Sequence, residues 1–115
     1  MGREIDSLMQ LQIQINDTTR DIDVPDFILA EADDYFALLD RDMDKGYQMS
    51  RKWVDRPDSE QRCQIVADKL LTALSNGNQQ SGLLLAAYIL KRMPQVRVIR
   101  MNVEGDMTEH DLSAF

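Results

Sequence analysis

Ser81 to Pro94 reads SGLLLAAYILKRMP, and its centre, Leu83 to Leu90, is eight apolar residues without a break. A helix that is apolar on every side has no solvent face, so neighbouring elements or a partner chain must cover it. The run is far too short to cross a bilayer, which takes roughly 20 apolar residues. It therefore reads as the core helix of a small globular domain. Lys91 and Arg92 complement its negative end, and Pro94 stops it.

The elements before it are set out as potential cover. Asp58, followed three residues later by Gln61, resembles a capping box. From there Cys63, Val66, Ala67, Leu70, Ala73 and Leu74 form a narrow apolar stripe that Asn76-Gly77-Asn78 ends. Further upstream, Asp23 and Pro25 suit a helix start. A longer stripe runs from Ile28 through Phe36, Leu39 and Met43 to Trp53 and Val54 at spacings of three and four. It reads as one long helix over 25–54, with Gly46 as a kink or a break.

Met9, Leu11, Ile13 and Ile15 alternate with Gln10, Gln12, Gln14 and Asn16, the clearest strand in the chain. Asp17 to Val24 reads as a connection. Val96 to Val103 is the second strand. The expected fold class is α+β, mainly helical, in the order strand, long helix, helix, buried helix, strand. The terminal strands pair either within the chain or across a dimer, because two strands alone make a marginal sheet. Residues 1–8 read as a flexible tail, 9–103 as one compact domain, and 104–115 as an acidic flexible tail.

The net charge of −7 is unevenly spread: residues 17–44 carry −8 and residues 45–100 carry +6. The acidic total disfavours direct nucleic-acid binding, and the two halves can neutralise each other. One cysteine, Cys63, allows no internal disulfide, and the N-terminus shows no signal-peptide pattern, so the expected compartment is the cytoplasm.

Few residues offer chemistry. His110 is the only histidine and falls in the expected tail, which argues against His-based metal sites and triads. The five glycines form no phosphate loop, and no cofactor is expected. Cys63 reads as a core residue. Glu31 and Asp34 share a helical face, but such a pair is common on exposed helices. The sharpest local pattern is Asp40, Asp42 and Asp44 at alternate positions before Gly46. It resembles the start of an EF-hand calcium loop, but Lys45 takes the glycine position and Arg51 the bidentate glutamate position.

Tyr47, Met49, Arg51 and Trp53 form the expected partner surface, an aromatic patch with Lys52, Arg56 and Arg62 around it. The functional expectation is a small cytoplasmic, non-enzymatic interaction or accessory protein acting as a homo-oligomer, a homodimer in the first instance. Another protein is a further partner class; neither membrane nor direct nucleic-acid contact is expected. Two alternatives stand beside it: a divalent-cation module using Asp40, Asp42 and Asp44, and an acidic regulator of nucleic-acid machinery acting through protein contacts.

Overall fold

A computed structural model describes residues 8–115. The expected flexible tail over 1–8 lies outside the described residues except for Leu8, which opens the first strand.

β1 (Leu8–Ile15) and β2 (Thr18–Pro25) form an antiparallel hairpin. Asn16 turns it with a φ of 54°, a left-handed conformation that Asn tolerates better than most residues. The segment read as a connection is thus a full strand. A helix follows in two pieces, α1 (Asp26–Glu31) and α2 (Asp33–Asp44). Hydrogen bonds from Ala32 N–H to Ile28 O and from Phe36 N–H to Ala32 O carry the ladder across the bend. Pro25, rather than Asp23, takes the N-cap position, and Asp23 lies within β2.

The long helix expected over 25–54 ends at Asp44. Gly46 takes a φ of 101°, and the chain turns back as a second hairpin, β3 (Tyr47–Met49) with β4 (Lys52–Val54). α3 (Ser59–Ser75) then starts on the expected capping box: Gln61 N–H donates to Asp58 Oδ1 at 2.8 Å, and Asp58 N–H to Gln61 Oε1 at 2.9 Å. α4 (Gln79–Arg92) is the apolar helix of the opening stretch. Asn78 caps it, its Oδ1 accepting from Ser81 N–H. β5 (Val98–Arg100) returns to the sheet, and after a 3-10 turn (Met107–Glu109) the chain ends with β6 (Asp111–Ser113).

The sheet order is β2-β1-β5-β6, with β1 parallel to β5 and antiparallel pairs on either side. β1 is therefore central, with both edges filled by its own chain; the pairing is intrachain, and β1 has no edge left for a second subunit. The mainly helical expectation is corrected: the described residues are about 48% helix and 26% strand, an α+β fold with six strands in two sheets. The sequence pattern missed β2, β3, β4 and β6. Residues 104–115, read as a flexible tail, supply the 3-10 turn and the last strand.

One face of the sheet packs on helices. Leu11, Ile13, Val24 and Ile99 are buried there against Leu85, Ala86, Ile89 and Leu90 of α4 and Val66, Ala67 and Leu70 of α3. This is the cover the apolar helix requires. The other face carries Gln10, Gln12 and Gln14 beside Asp23, Asp21 and Thr19. There Gln10 Nε2 donates to Asp23 Oδ1 at 3.0 Å, and Arg100 pairs with Asp111 at 3.2 Å. The amide row of the strand is thus a polar outer face, as its alternation with apolar residues requires.

Candidate functional site

The densest group of ionisable side chains joins α2 to α3 and α4. Asp40 accepts from Tyr88 Oη at 2.5 Å and Arg62 Nη1 at 3.1 Å through Oδ1, and from Arg92 Nη2 at 2.6 Å through Oδ2. Arg62 also reaches Asp44 at 2.8 Å. Phe36 meets Tyr88 edge to face at 6.0 Å, and Arg92 lies 5.0 Å from the Tyr88 ring centroid.

Burial alone would raise the Asp40 carboxyl. Hydrogen bonds from Tyr88, Arg92 and Arg62 outweigh it and hold the group below the usual carboxylate range. Tyr88 moves the opposite way, because burial and the adjacent carboxylate both oppose a phenolate. Burial pushes the neighbouring Cys63 thiol up to about 12. A tyrosine and a thiol that resist ionisation, beside a carboxylate whose oxygens are all engaged, form a locked structural node. This chemistry holds three helices together and leaves no group poised to react.

The three alternate aspartates do not form one ligand set. They lie on a helix, where residues two apart point about 200° from each other. Asp40 faces the Arg62–Arg92–Tyr88 node, Asp44 shares Arg62, and Asp42 is exposed on its own. No cluster of three His, Cys, Asp or Glu side chains is placed to hold a metal among the described residues. Glu31 and Asp34 are both exposed at the junction of α1 and α2.

The expected partner surface divides. Met49 is buried in the core. Tyr47 is half-buried, with Lys69 Nζ 5.7 Å from its ring centroid. Arg51 is exposed, and Trp53 is 55% exposed. The Trp53 indole is nevertheless held in one orientation. Its Nε1–H donates to Asp55 Oδ1 at 2.8 Å, and its ring lies over Gly46, where a Cβ would come within 2.9 Å of Trp53 Cε2. Gly46 thus both permits the left-handed turn after α2 and leaves room for the indole. Of the basic residues around it, Arg62 pairs with the acidic half of the chain, as its surroundings suggested. Arg51, Lys52 and Arg56 enter no ion pair among the described residues.

Beside the hairpin opens a cleft of about 820 Å³, lined by the bases Arg51 and Lys52, the acids Glu104 and Asp106, and the amides Gln61 and Asn102. Its loop is tied internally. Met107 N–H donates to Ser50 Oγ at 2.9 Å, and the Asn102 side chain accepts from Glu104 N–H and Asp106 N–H. The Thr108 hydroxyl and backbone N–H hold the Asp106 carboxyl below its usual range.

His110 is 2% exposed, far from the tail residue it was expected to be. Asn102 N–H donates to its Nδ1 at 2.9 Å, which places the ring proton on Nε2, 3.1 Å from Asp68 Oδ1. Gln64 adds bonds to the carbonyls of Thr108 and His110. His110 thereby anchors β6 to α3. Tyr88 and Arg92 were missed as members of a node, although a tyrosine inside an otherwise apolar helix signals a buried hydroxyl in need of an acceptor.

None of the described helices is long and apolar enough to cross a membrane. No protein-family model matches the chain, and neither curated proteins nor solved structures provide a match.

Proposed function

We propose that this chain is a small interaction or accessory protein that acts without catalysis and as a homo-oligomer, a dimer in its simplest form. The observation that carries the reading is Trp53: an indole more than half exposed, yet fixed by Asp55 and seated on Gly46. A large exposed aromatic held in one rotamer loses little entropy on binding and suits the anchor of a protein contact. Arg51, Lys52 and Arg56, exposed and without an ion pair among the described residues, flank it along the chain, as charged groups do around an interface centre. Asp40, Tyr88, Arg62, Arg92 and Asp106 are each engaged in internal bonds, which supports binding over chemistry.

Trp53 is the only tryptophan, so its fluorescence reports directly on the surface concerned. Emission is expected to shift to the red on dilution as the indole leaves the contact, in step with mass from light scattering. Trp53→Ala should keep the far-ultraviolet spectrum of the folded chain and weaken association at least tenfold. A concentration-independent monomer mass would overturn the reading.

A further inference from the structure

The outward face of the α1–α2 helix has an order of residues that the fold itself does not use. At about 100° per residue, Phe27, Glu31, Asp34, Leu38, Arg41 and Lys45 fall within about 40° of one line along the axis. All six are exposed, and the hydrogen-bond ladder through Ala32 keeps α1 in phase with α2. Along that line the face runs apolar, acidic, acidic, apolar, basic, basic. Phe27 and Leu38 are 58% and 52% exposed, two of the largest apolar side chains left in solvent.

Within one chain this order is unfavourable. Glu31 and Asp34 are like charges three apart, and Arg41 and Lys45 are like charges four apart, spacings at which helix neighbours repel. None of the four enters an ion pair among the described residues; Asp42 and Asp44 flank the basic end, and Asp44 is engaged by Arg62. Turned through 180° about Leu38, the same face becomes complementary to itself. Glu31 and Lys45 lie seven residues on either side of Leu38, about 10 Å each way along the axis. Asp34 and Arg41 lie four and three residues away.

We infer that the α1–α2 face packs antiparallel against the same face of a second copy, about a two-fold axis at Leu38. Glu31 then meets Lys45 of the second copy, Asp34 meets Arg41, and the two Leu38 side chains meet each other. Phe27 lies about 16 Å from the axis on one side; on the other, just beyond the end of α2, the Trp53 ring lies over Gly46. Each end of the pair thus brings Phe27 of one copy towards Trp53 of the other. Such a contact is isologous, so it closes on itself as a dimer and leaves no open surface for further growth. The apolar residues supply the affinity, and the four charges per copy set the orientation. The inference rests on the reading of the chain as a self-associating interaction protein and assigns that association a surface.

Two variants test it. Glu31→Lys with Asp34→Arg makes the whole face basic, and Arg41→Glu with Lys45→Glu makes it acidic. Light scattering and native mass spectrometry on the full chain are expected to show each variant associating at least tenfold more weakly than the parent. An equimolar mixture should form a one-to-one heterodimer at close to the parent affinity, since every like-charge contact then becomes an opposite one. Circular dichroism on each variant checks that these exposed changes leave the fold intact. Independently, Leu38→Cys should cross-link to itself under mild oxidation, whereas Ser75→Cys should not; buried Cys63 stays out of the reaction. A dimer that neither reversal weakens, or a mixture that fails to recombine, overturns the helix pairing and leaves the self-association reading standing. A parent chain that stays monomeric overturns both.

Discussion

Removing the carboxylate of Asp40 should uncouple three helices at one stroke. In Asp40→Ala, the Tyr88 hydroxyl loses its acceptor inside a fully buried site. An orphaned buried hydroxyl costs about 1–3 kcal/mol. Arg62 and Arg92, whose side chains are 17% and 33% exposed, lose charge-assisted bonds worth about 0–1 kcal/mol each because water screens and replaces them. Alanine returns roughly 0.5 kcal/mol through its higher helix propensity. The expected net loss is about 0.5–4.5 kcal/mol, centred at about 2.5 kcal/mol. In Tyr88→Phe the donor goes instead, and Asp40 keeps both arginines, so the loss should be about 1 kcal/mol. The double variant contains no orphaned hydroxyl. It should be about 1–2 kcal/mol more stable than the sum of the single effects implies. Urea unfolding followed by circular dichroism reads these values: with a slope of about 1–3 kcal/mol per molar, Asp40→Ala should move the midpoint down by roughly 1–2 M. Strict additivity, or a Tyr88→Phe loss as large as that of Asp40→Ala, would refute the account of the node.

Acid should act through the same carboxylate. Its folded-state ionisation lies below the ordinary value of 3.8, so between the two the unfolded chain binds more protons than the folded one. The stability contributed by Asp40 is complete above that value and is lost as pH falls through the lower folded one; the gap between the parent and Asp40→Asn should close over that window in pH-dependent unfolding. Gly46→Ala should cost about 1–3 kcal/mol, because a side chain is strained at a φ of 101° and its Cβ strikes the Trp53 ring; a blue- or red-shifted emission should accompany the loss. His110→Ala should free β6 from α3, destabilise by about 2–3 kcal/mol and expose residues 104–115 to proteolysis ahead of the rest; uniform digestion would contradict the anchor. Millimolar calcium or magnesium should leave the melting temperature unchanged, since Tyr88, Arg62 and Arg92 occupy the oxygens of Asp40; a rise of several degrees would restore a cation site there.

Elements with a strong periodic signal and a cap were legible in the chain: α3 with its capping box, α4 with its continuous apolar run, and β1 with its alternation. The rest was hidden for identifiable reasons. β2 carries Arg20, Asp21 and Asp23 on an edge strand, a charge load that protects the edge and leaves only Ile22 and Val24 to mark its inner face. The β3–β4 hairpin reads as helix because Tyr47, Ser50, Trp53 and Val54 happen to fall at spacings of three and four, while the decisive signals are the left-handed Gly46 and Ser50. β6 spans three residues and depends on the buried His110, whose partner Asp68 lies 42 positions earlier in the chain. The aspartate pattern was legible but misleading, because alternate positions make a ligand loop only when the segment is not helical. Of the residues expected on a partner surface, Trp53 is exposed, whereas Met49 beside it belongs to the core.

The parallel pairing of β1 with β5 also sets an order of events in time. Gln12 lies opposite Val98, 86 positions later. At the pace of synthesis, about 5–20 residues per second, the inner edge of β1 waits roughly 4–17 s for its neighbour. Throughout that interval the β1–β2 hairpin presents an open edge bearing alternating aliphatic and amide side chains, the kind that templates unwanted strand pairing. Closure of the sheet is therefore a late, long-loop event, and it is during this wait that the nascent chain most needs shielding from its own copies.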